Sequence, residues 1–154
     1  MVNIYLTFEE KTKENYDSRI PSVTSDIASD SIDDIFGDGV LEKVKDLPAF
    51  INECYRILKV GSKANFHGAY YNSAKAWSSP FNIRGISEMS LNFASKDWRE
   101  QTKYSEATIL ANFDVAANFA IEESCVQRAE ETRNFWMQRY SNIVQIVCFT
   151  LTKK

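Results

Sequence analysis

The sequence predicts an α/β layered fold built on a mixed parallel and antiparallel sheet. The main observation is a strand, helix, strand succession over Ile32 to Phe36, Pro48 to Lys59 and Ala64 to Tyr71. A second is a late β-rich half that ends in an apolar segment. The length of 154 residues is that of one domain, so we expect residues 1–154 to form a single unit around one core.

The first third of the chain predicts strands separated by polar connections. Val2 to Phe8 mixes β-branched and aromatic residues over a strand-length run, and Glu9 to Arg19 has no helical stripe and reads as a loop. Ser22 to Ala28 has the composition of a short strand. Ile32 to Phe36 is a clearer strand, which we expect Gly37-Asp38-Gly39 to end.

A helix is predicted from about Pro48 to Lys59. Asp46 precedes it as a capping residue, the proline stands in the first turn, and Gly61 is the expected stop. One face collects the apolar residues Phe50, Ile51, Cys54, Ile57 and Leu58. This spacing is that of an amphipathic helix packed on a core.

Ala64 to Tyr71 reads as the next strand, and Asn72 to Arg84 as a loop long enough to carry function. Ala107 to Ala120 contains a strand with an interruption at Asn112-Phe113-Asp114, and Glu122 to Tyr140 is a polar helix of alternating charge with a solvated face. Asn142 to Thr152 is apolar on both faces, which predicts an interior strand covered on two sides.

Composition excludes several classes of protein. A net charge of -3 and a pI near 5.3 disfavour a dedicated nucleic-acid binder, and no apolar run is long enough for a membrane span. The N-terminus lacks the layout of a signal peptide, so we expect a cytoplasmic protein. Cys54, Cys125 and Cys148 read as reduced core thiols, and a single histidine, His67, reads as a core imidazole and argues against a metal site.

Two stretches carry a resemblance to a known family. Ser31 to Val44 (SIDDIFGDGVLEKV) and Leu47 to Lys63 (LPAFINECYRILKVGSK) resemble the middle of class I S-adenosylmethionine-dependent methyltransferases. That family has an S-[FIV]-D strand, an H-x-L-E-H turn and an E-x-x-R-x-L-K-P-G-G helix end before the fifth strand of its sheet. The matching residues are Ser31, Asp33, Leu41, Glu42, Glu53, Arg56, Leu58, Lys59 and Gly61. The resemblance implies a partial Rossmann-like sheet and S-adenosylmethionine as the cofactor.

The chain departs from the family pattern in two places. Ser79 to Arg84 (SPFNIR) is similar to the D-P-x-H-x-R loop of some members but replaces its aspartate and histidine by Ser79 and Asn82. Residues 1–36 contain no glycine, whereas a complete member carries a glycine-rich loop after its first strand. The resemblance therefore implies a shortened member with an incomplete cofactor site.

The candidate cofactor residues are Asp26, Asp38 and Gly39. Asp26 is similar in place to the acidic residue beside the adenine in complete enzymes. The alternative is that this aspartate only begins the turn before Ser29, as aspartates commonly do. Asp38 and Gly39 follow the strand that ends where open α/β sheets bind ligands, although Gly-Asp-Gly is also an ordinary turn.

The candidate substrate residues are Tyr70, Tyr71, Trp77 and Arg84. The three aromatic rings either line an acceptor pocket or cover the core. The arginine either binds an anionic group or pairs with Glu88 four residues later, and we expect the pair.

Two functions follow from the resemblance. One is methyl transfer from S-adenosylmethionine without a metal; the other is a non-catalytic binding or structural module derived from a methyltransferase, because fold kinship does not fix chemistry. A sheet without its front half exposes an edge, which either Val2 to Phe8 or a second copy must cover. We therefore expect a homo-oligomer or a partner chain, with neither a membrane nor nucleic acid as partner.

Overall fold

The computed structural model describes residues 3–6, 26–120, 135, 137 and 139–154. The strands are β1 (Asn3–Leu6), β2 (Ile32–Asp38), β3 (Leu58–Ala69), β4 (Phe113–Ala120) and β5 (Ile146–Lys153). The helices are α1 (Leu47–Ile57), α2 (Ala74–Trp77) and α3 (Lys96–Thr102), with a 3-10 helix at Asn92–Ala94. Within these ranges no helix has the length and apolar character to cross a membrane.

The five strands form one mixed sheet in the order β1-β2-β3-β5-β4. The first three are parallel to one another, and β5 runs antiparallel between β3 and β4. The mixed sheet is therefore as predicted. The N-terminal strand lies along the outer side of β2, with Ile4 opposite Ile35, so of the two alternatives for that edge the structure shows the one in which this segment pairs with it.

The predictions for the N-terminal connection are only partly tested. The Glu9 to Arg19 loop and residues 22–25 of the short strand lie outside the described residues. Residues 26–30 form a turn and a bend, so the described end of the predicted Ser22 to Ala28 strand is not extended. This turn is fixed to α1, because the Asp30 N–H donates to the Arg56 carbonyl oxygen at 3.1 Å.

Helix α1 begins where the sequence predicts it. The Asp46 side chain accepts a hydrogen bond from the Ala49 N–H at 2.9 Å, with Pro48 in the first turn. The predicted end of this helix was wrong. The backbone becomes extended at Leu58, three residues before the expected stop at Gly61. That glycine instead lies inside β3 with φ of 80°, where the register between β2 and β3 shifts.

The core lies on the face of the sheet that α1 covers. The rings of Phe50 on α1 and Phe66 on β3 are 5.6 Å apart, and both side chains are fully buried. Burial alternates along β5: its residues on the core face are buried, and those on the other face are half-buried. The last strand is therefore interior to the sheet as predicted, but only its core face is fully buried and the other face is partly covered.

Two further predictions in the second half are corrected. Asn112-Phe113-Asp114 does not interrupt a strand, because β4 begins at Phe113, whose ring is fully buried against Tyr55.

Helix α3 was not predicted, although Ser95 caps it by accepting from the Trp98 N–H at 3.3 Å. Of the predicted Glu122 to Tyr140 helix, only Phe135, Met137 and Arg139 are described as helical, and Tyr140 is not; the rest lies outside the described residues.

Candidate functional site

The carboxyl ends of the three parallel strands meet at one edge of the sheet. We call this the carboxyl edge, formed by Leu6, Asp38 and Ala69 at the ends of β1, β2 and β3, with the turns that follow the last two. In open parallel sheets the crevice beyond these ends is where ligands bind, because loops there present unpaired backbone groups and side chains together. Functional groups of this chain are therefore expected along the carboxyl edge.

Asp38 and Gly39 lie at the carboxyl edge as predicted. The Asp38 side chain is exposed, and Gly39 adopts a left-handed φ of 61° while its N–H donates to the His67 carbonyl oxygen at 3.0 Å. A Cβ atom built on the glycine would meet only the Lys43 Nζ atom, at 3.9 Å. The edge therefore presents a carboxylate beside a stretch of backbone that a ligand can approach closely.

Glu42 is a buried carboxylate at this edge that the search for site residues missed. Its side chain is 3% exposed, and its Oε1 atom accepts a hydrogen bond from the Ala69 N–H. Its carbonyl oxygen accepts from the Ile83 N–H at 2.9 Å, while Oε2 has no hydrogen-bond partner among the described residues. The available signal was a glutamate among Val40, Leu41 and Val44, since a glutamate drawn inward by apolar neighbours needs a hydrogen-bond donor for its carboxylate.

The aromatic candidates separate into a buried and an exposed group. Tyr70 is 5% exposed, and its ring centroid lies 4.8 Å from that of Tyr71 and 5.6 Å from that of Phe119. Tyr71 and Trp77 are 48% and 66% exposed, and the Trp77 indole N–H donates to the Tyr71 carbonyl oxygen at 3.0 Å. The structure thus brings all three rings to the edge but exposes only two.

Tyr70 is held as a neutral phenol. Its hydroxyl donates to the Glu88 Oε2 atom at 3.2 Å. Burial raises the pKa of Tyr70 well above its usual value, and the neighbouring Glu88 carboxylate raises it further because the ionised phenol would face a like charge. The residue therefore acts as a hydrogen-bond donor that fixes the edge, and Tyr71 with Trp77 form the accessible aromatic wall.

Arg84 does not pair with Glu88, so that expectation is wrong. Its guanidinium donates to the carbonyl oxygens of Leu41 at 3.1 Å, of Lys45 at 3.0 Å and also of Val44. Burial lowers the pKa of Arg84, and the nearby Asp46 carboxylate opposes that effect. The side chain closes the turn between β2 and α1, and its donors are occupied by backbone and do not point to a substrate.

Asp26 lies away from the other cofactor candidates. It is exposed in the turn that leads into the amino end of β2, whereas Asp38 ends that strand. The seven residues of β2 correspond to about 20 Å of extended chain between the strand's two ends. The structure therefore does not bring Asp26 to the carboxyl edge.

His67 is not a core residue, because its side chain is exposed on the face of the sheet that α1 does not cover. Cys148 is half-buried, whereas Cys54 is 3% exposed as predicted and Cys125 lies outside the described residues. Burial raises the pKa of the Cys54 thiol and makes it unreactive. No group of three or more His, Cys, Asp or Glu side chains that could hold a metal occurs in the part of the chain that the structure describes.

Comparison with solved structures identifies the fold. A SAM-dependent methyltransferase from Archaeoglobus fulgidus matches 99% of this chain and 86% of its own length, with a TM-score of 0.64 and 13% sequence identity. The [4+2]-cyclase SpnF matches 83% of this chain at a TM-score of 0.50 and 13% identity, and this chain spans about half of it, 53%. The YcgJ protein from Bacillus subtilis matches 99% of this chain and 92% of its own length, at 0.49 and 12% identity.

No family model matches the sequence, and no curated protein matches it. The structural likeness therefore rests on backbone arrangement, at identities too low to carry residue roles. It agrees with the independent resemblance of the Ser31 to Lys63 segment. The chain has the partial Rossmann-like fold of the class I S-adenosylmethionine-dependent methyltransferases.

Proposed function

We propose that the chain binds S-adenosylmethionine at the carboxyl edge and transfers its methyl group to a small acceptor held against Tyr71 and Trp77. The observation that carries the proposal is the exposed Asp38 carboxylate beside Gly39, at the end of a parallel strand in a methyltransferase fold. Ligands of open α/β sheets occupy this position.

The described residues at this edge suit the chemistry of the cofactor. S-adenosylmethionine carries a sulfonium cation, which a carboxylate and the faces of aromatic rings attract. Asp38 supplies the carboxylate, the Tyr71 ring supplies a face, and Gly39 leaves its backbone uncovered. The bound cofactor would supply an electrophilic methyl group.

The residues of this chain would act by binding and orientation. Methyl transfer needs an acceptor aligned with the breaking bond, and fixed geometry alone removes much of its entropic barrier. The exposed wall of Tyr71 and Trp77 is held by the indole hydrogen bond and lies next to the end of β3. An acceptor with a flat apolar body therefore fits best.

The sequence also sets an upper limit on affinity. Residues 1–36 contain no glycine, so the segment after β1 lacks the residue that lets backbone N–H groups approach a nucleoside closely. We expect S-adenosylmethionine and S-adenosylhomocysteine to bind with micromolar and not nanomolar dissociation constants.

Isothermal titration with both ligands tests the proposal, supported by the melting temperature, which binding to the folded state must raise. Asp38→Asn should weaken binding about tenfold, roughly 1.4 kcal/mol. Asp34→Asn is the matched control, because it lies on the same strand but toward its amino half. Absence of heat at millimolar ligand, or equal effects of the two variants, would contradict the proposal.

A non-catalytic module remains the second candidate, favoured by the position of β1 at one end of the sheet. A terminal strand offers backbone groups to another strand. Two copies that join through β1 would form a continuous sheet across a two-fold axis, which gives the module a homodimer as partner. Light scattering after size exclusion should then show a dimer at micromolar concentration; a monomer would exclude the homodimer and leave a partner chain as the only occupant of this edge.

A further inference from the structure

We infer that the segment from Trp77 to Ile83, called the apolar loop below, docks the protein on an anionic lipid surface by inserting its exposed apolar side chains among the lipids. The inference goes beyond the proposed function and does not depend on cofactor binding. It rests on the side chains and hydrogen bonds of this loop and on the charges around it, and its test uses residues that the proposed function does not.

The apolar loop exposes three large apolar side chains. Trp77, Phe81 and Ile83 are 66%, 52% and 54% exposed. They are three of the ten large apolar or aromatic side chains that are exposed among the described residues, and they lie within seven consecutive positions. Single exposed apolar residues are normal on a protein surface, whereas a group of them marks a site of interaction.

The polar side chains of the loop bind backbone. The Ser78 hydroxyl and the Asn82 side-chain amide donate to carbonyl oxygens of α2, at 2.9 Å and 2.8 Å. The Ser79 Oγ atom accepts from the Phe81 N–H at 3.3 Å. The usual arrangement of a surface loop is therefore inverted, because the groups that could bind water bind the backbone and the apolar groups are the exposed ones.

The N–H donors beside the exposed apolar side chains also have acceptors within the protein. The Trp77 indole donates to the Tyr71 carbonyl oxygen at 3.0 Å, and the Ile83 N–H donates to the Glu42 carbonyl oxygen at 2.9 Å. An N–H group that leaves water costs free energy when it has no acceptor in the new surroundings. The loop can therefore enter the boundary between lipid headgroups and acyl chains with these hydrogen bonds intact.

The charges around the apolar loop favour an anionic surface. Residues 70–87 contain two basic residues and no aspartate or glutamate, in a chain whose net charge is -3. Lys75 is exposed two residues before the loop. Lys45 is exposed on the turn before α1, where its carbonyl oxygen accepts from Arg84 at 3.0 Å. Lysine side chains at a membrane surface attract anionic headgroups, and each adds to the affinity.

The acidic side chains near this loop are engaged in the fold. Glu42, whose carbonyl oxygen binds the Ile83 N–H, has a buried side chain. Glu88 is half-buried and accepts the Tyr70 hydroxyl, and Asp46 is exposed but caps α1. Among the described residues of this region, the two exposed lysines therefore outnumber the one exposed carboxylate.

A lipid surface also suits the way in which these side chains project. Each is more than half exposed, whereas the side chains that line a groove for a peptide are covered on their flanks. Tryptophan and other aromatic residues are favoured at the boundary between a membrane and water. The expectation against a membrane partner rested on the lack of a spanning segment in the sequence, which surface binding does not require.

Sedimentation with lipid vesicles tests the inference. We expect the full chain to sediment with phosphatidylcholine vesicles that contain about 30% phosphatidylserine, and to bind about tenfold more weakly to phosphatidylcholine alone. Added salt should weaken binding to the anionic vesicles, because it screens the lysines. Ile83→Ser should lower the partition coefficient about tenfold, and Lys75→Gln about fivefold.

Val60→Ser is the matched control. Val60 is 72% exposed but lies in the amino half of β3, so its replacement should leave partitioning unchanged. Melting temperatures verify that each variant is folded, and Lys75→Gln tests the same surface without changing an apolar side chain. No sedimentation with anionic vesicles at millimolar lipid, or equal losses for Val60→Ser and Ile83→Ser, overturns the inference. Light scattering in which Ile83→Ser dissociates an oligomer also overturns it, because a second copy of the chain then covers the loop.

Discussion

Arg84 is the residue whose role the structure changes most. The sequence makes it a candidate ligand for an anion or a partner of Glu88, yet its guanidinium binds three carbonyl oxygens of the turn between β2 and α1. Sequence spacing predicts neighbours on one helix, but 82–85 has no regular structure. The side chain is therefore free to reach backbone about 40 positions earlier in the chain.

We predict that Arg84→Met lowers the free energy of unfolding by about 2 kcal/mol, because three carbonyl oxygens of the turn, two of them partly buried, lose a charged donor. Lys75→Met, at an exposed position, should change it by less than about 0.5 kcal/mol. Urea denaturation measures both. An Arg84→Met protein as stable as the wild type would show that these hydrogen bonds contribute nothing.

Tyr70 makes stability depend on alkaline pH. Burial and Glu88 raise its pKa in the folded protein, so the folded state holds the phenolic proton more tightly than the unfolded state. The contribution is complete below the ordinary tyrosine pKa of about 10 and is lost as the pH rises above it. We predict a decline in stability between about pH 10 and about 12 that Tyr70→Phe reduces.

Denaturation of both proteins across this pH range measures the effect. Tyr104→Phe, an exposed tyrosine, serves as the control and should keep the wild-type decline. If Tyr70→Phe and the wild type lose stability in parallel, the hydroxyl does not hold its proton as described.

At the scale of elements, α1 shows which helix boundary a sequence can specify. Its start depends on Asp46 and Pro48, which act locally, and the structure confirms it. Its end depends on Leu58, which pairs with Ile32 of β2 and so belongs to the sheet. Because Ile32 lies 26 positions before Leu58, no local sequence pattern shows that the helix ends there. Gly61 was therefore taken as the end of the helix.

The cap of α1 is open to a direct test. We predict that Asp46→Ala lowers the free energy of unfolding by about 1 kcal/mol, because the Ala49 N–H loses its acceptor. Asp46→Asn should keep most of the stability, since asparagine caps helices equally well. Thermal and urea unfolding separate the two variants, and equal losses would instead implicate the charge of Asp46 near Arg84.

The strands also include some that the sequence predicts and a boundary that it does not. Composition predicted β2, the centre of β3 and the interior place of β5, since each is rich in apolar or β-branched residues. The start of β4 was missed because polar Asn112 and Asp114 flank Phe113, although alternation of polar and buried residues is what an edge strand shows. The alternation of polar and apolar residues, and not the presence of polar ones, was therefore the signal that indicated where β4 begins.

For the whole molecule, the sequence predicted the parallel β2-α1-β3 unit and its antiparallel continuation, and the comparisons agree with the resemblance at the level of the fold. The arrangement of the site was less accessible. Glu42 accepts a hydrogen bond from the Ala69 N–H, 27 positions later in the chain, and no local pattern shows that contact. The residue type of His67 led to the prediction of a core imidazole, whereas the side chain is exposed.

The fold itself leaves the chemistry open, since a methyltransferase and a [4+2]-cyclase both resemble this chain. The central claim is therefore a claim about place: S-adenosylmethionine or its product binds at the carboxyl edge. A ligand bound at this edge would contact residues 37–45 and 69–78. Residues 26–31 and 58–63 lie at or near the opposite ends of β2 and β3 and would stay uncovered.

Amide hydrogen exchange with and without S-adenosylhomocysteine tests this claim most directly, because a bound ligand slows exchange where it closes the backbone. We predict slower exchange in peptides that cover 37–45 and 69–78, and unchanged exchange in those that cover 26–31 and 58–63. No protection at millimolar ligand, or protection confined to 26–31 and 58–63, would contradict the account.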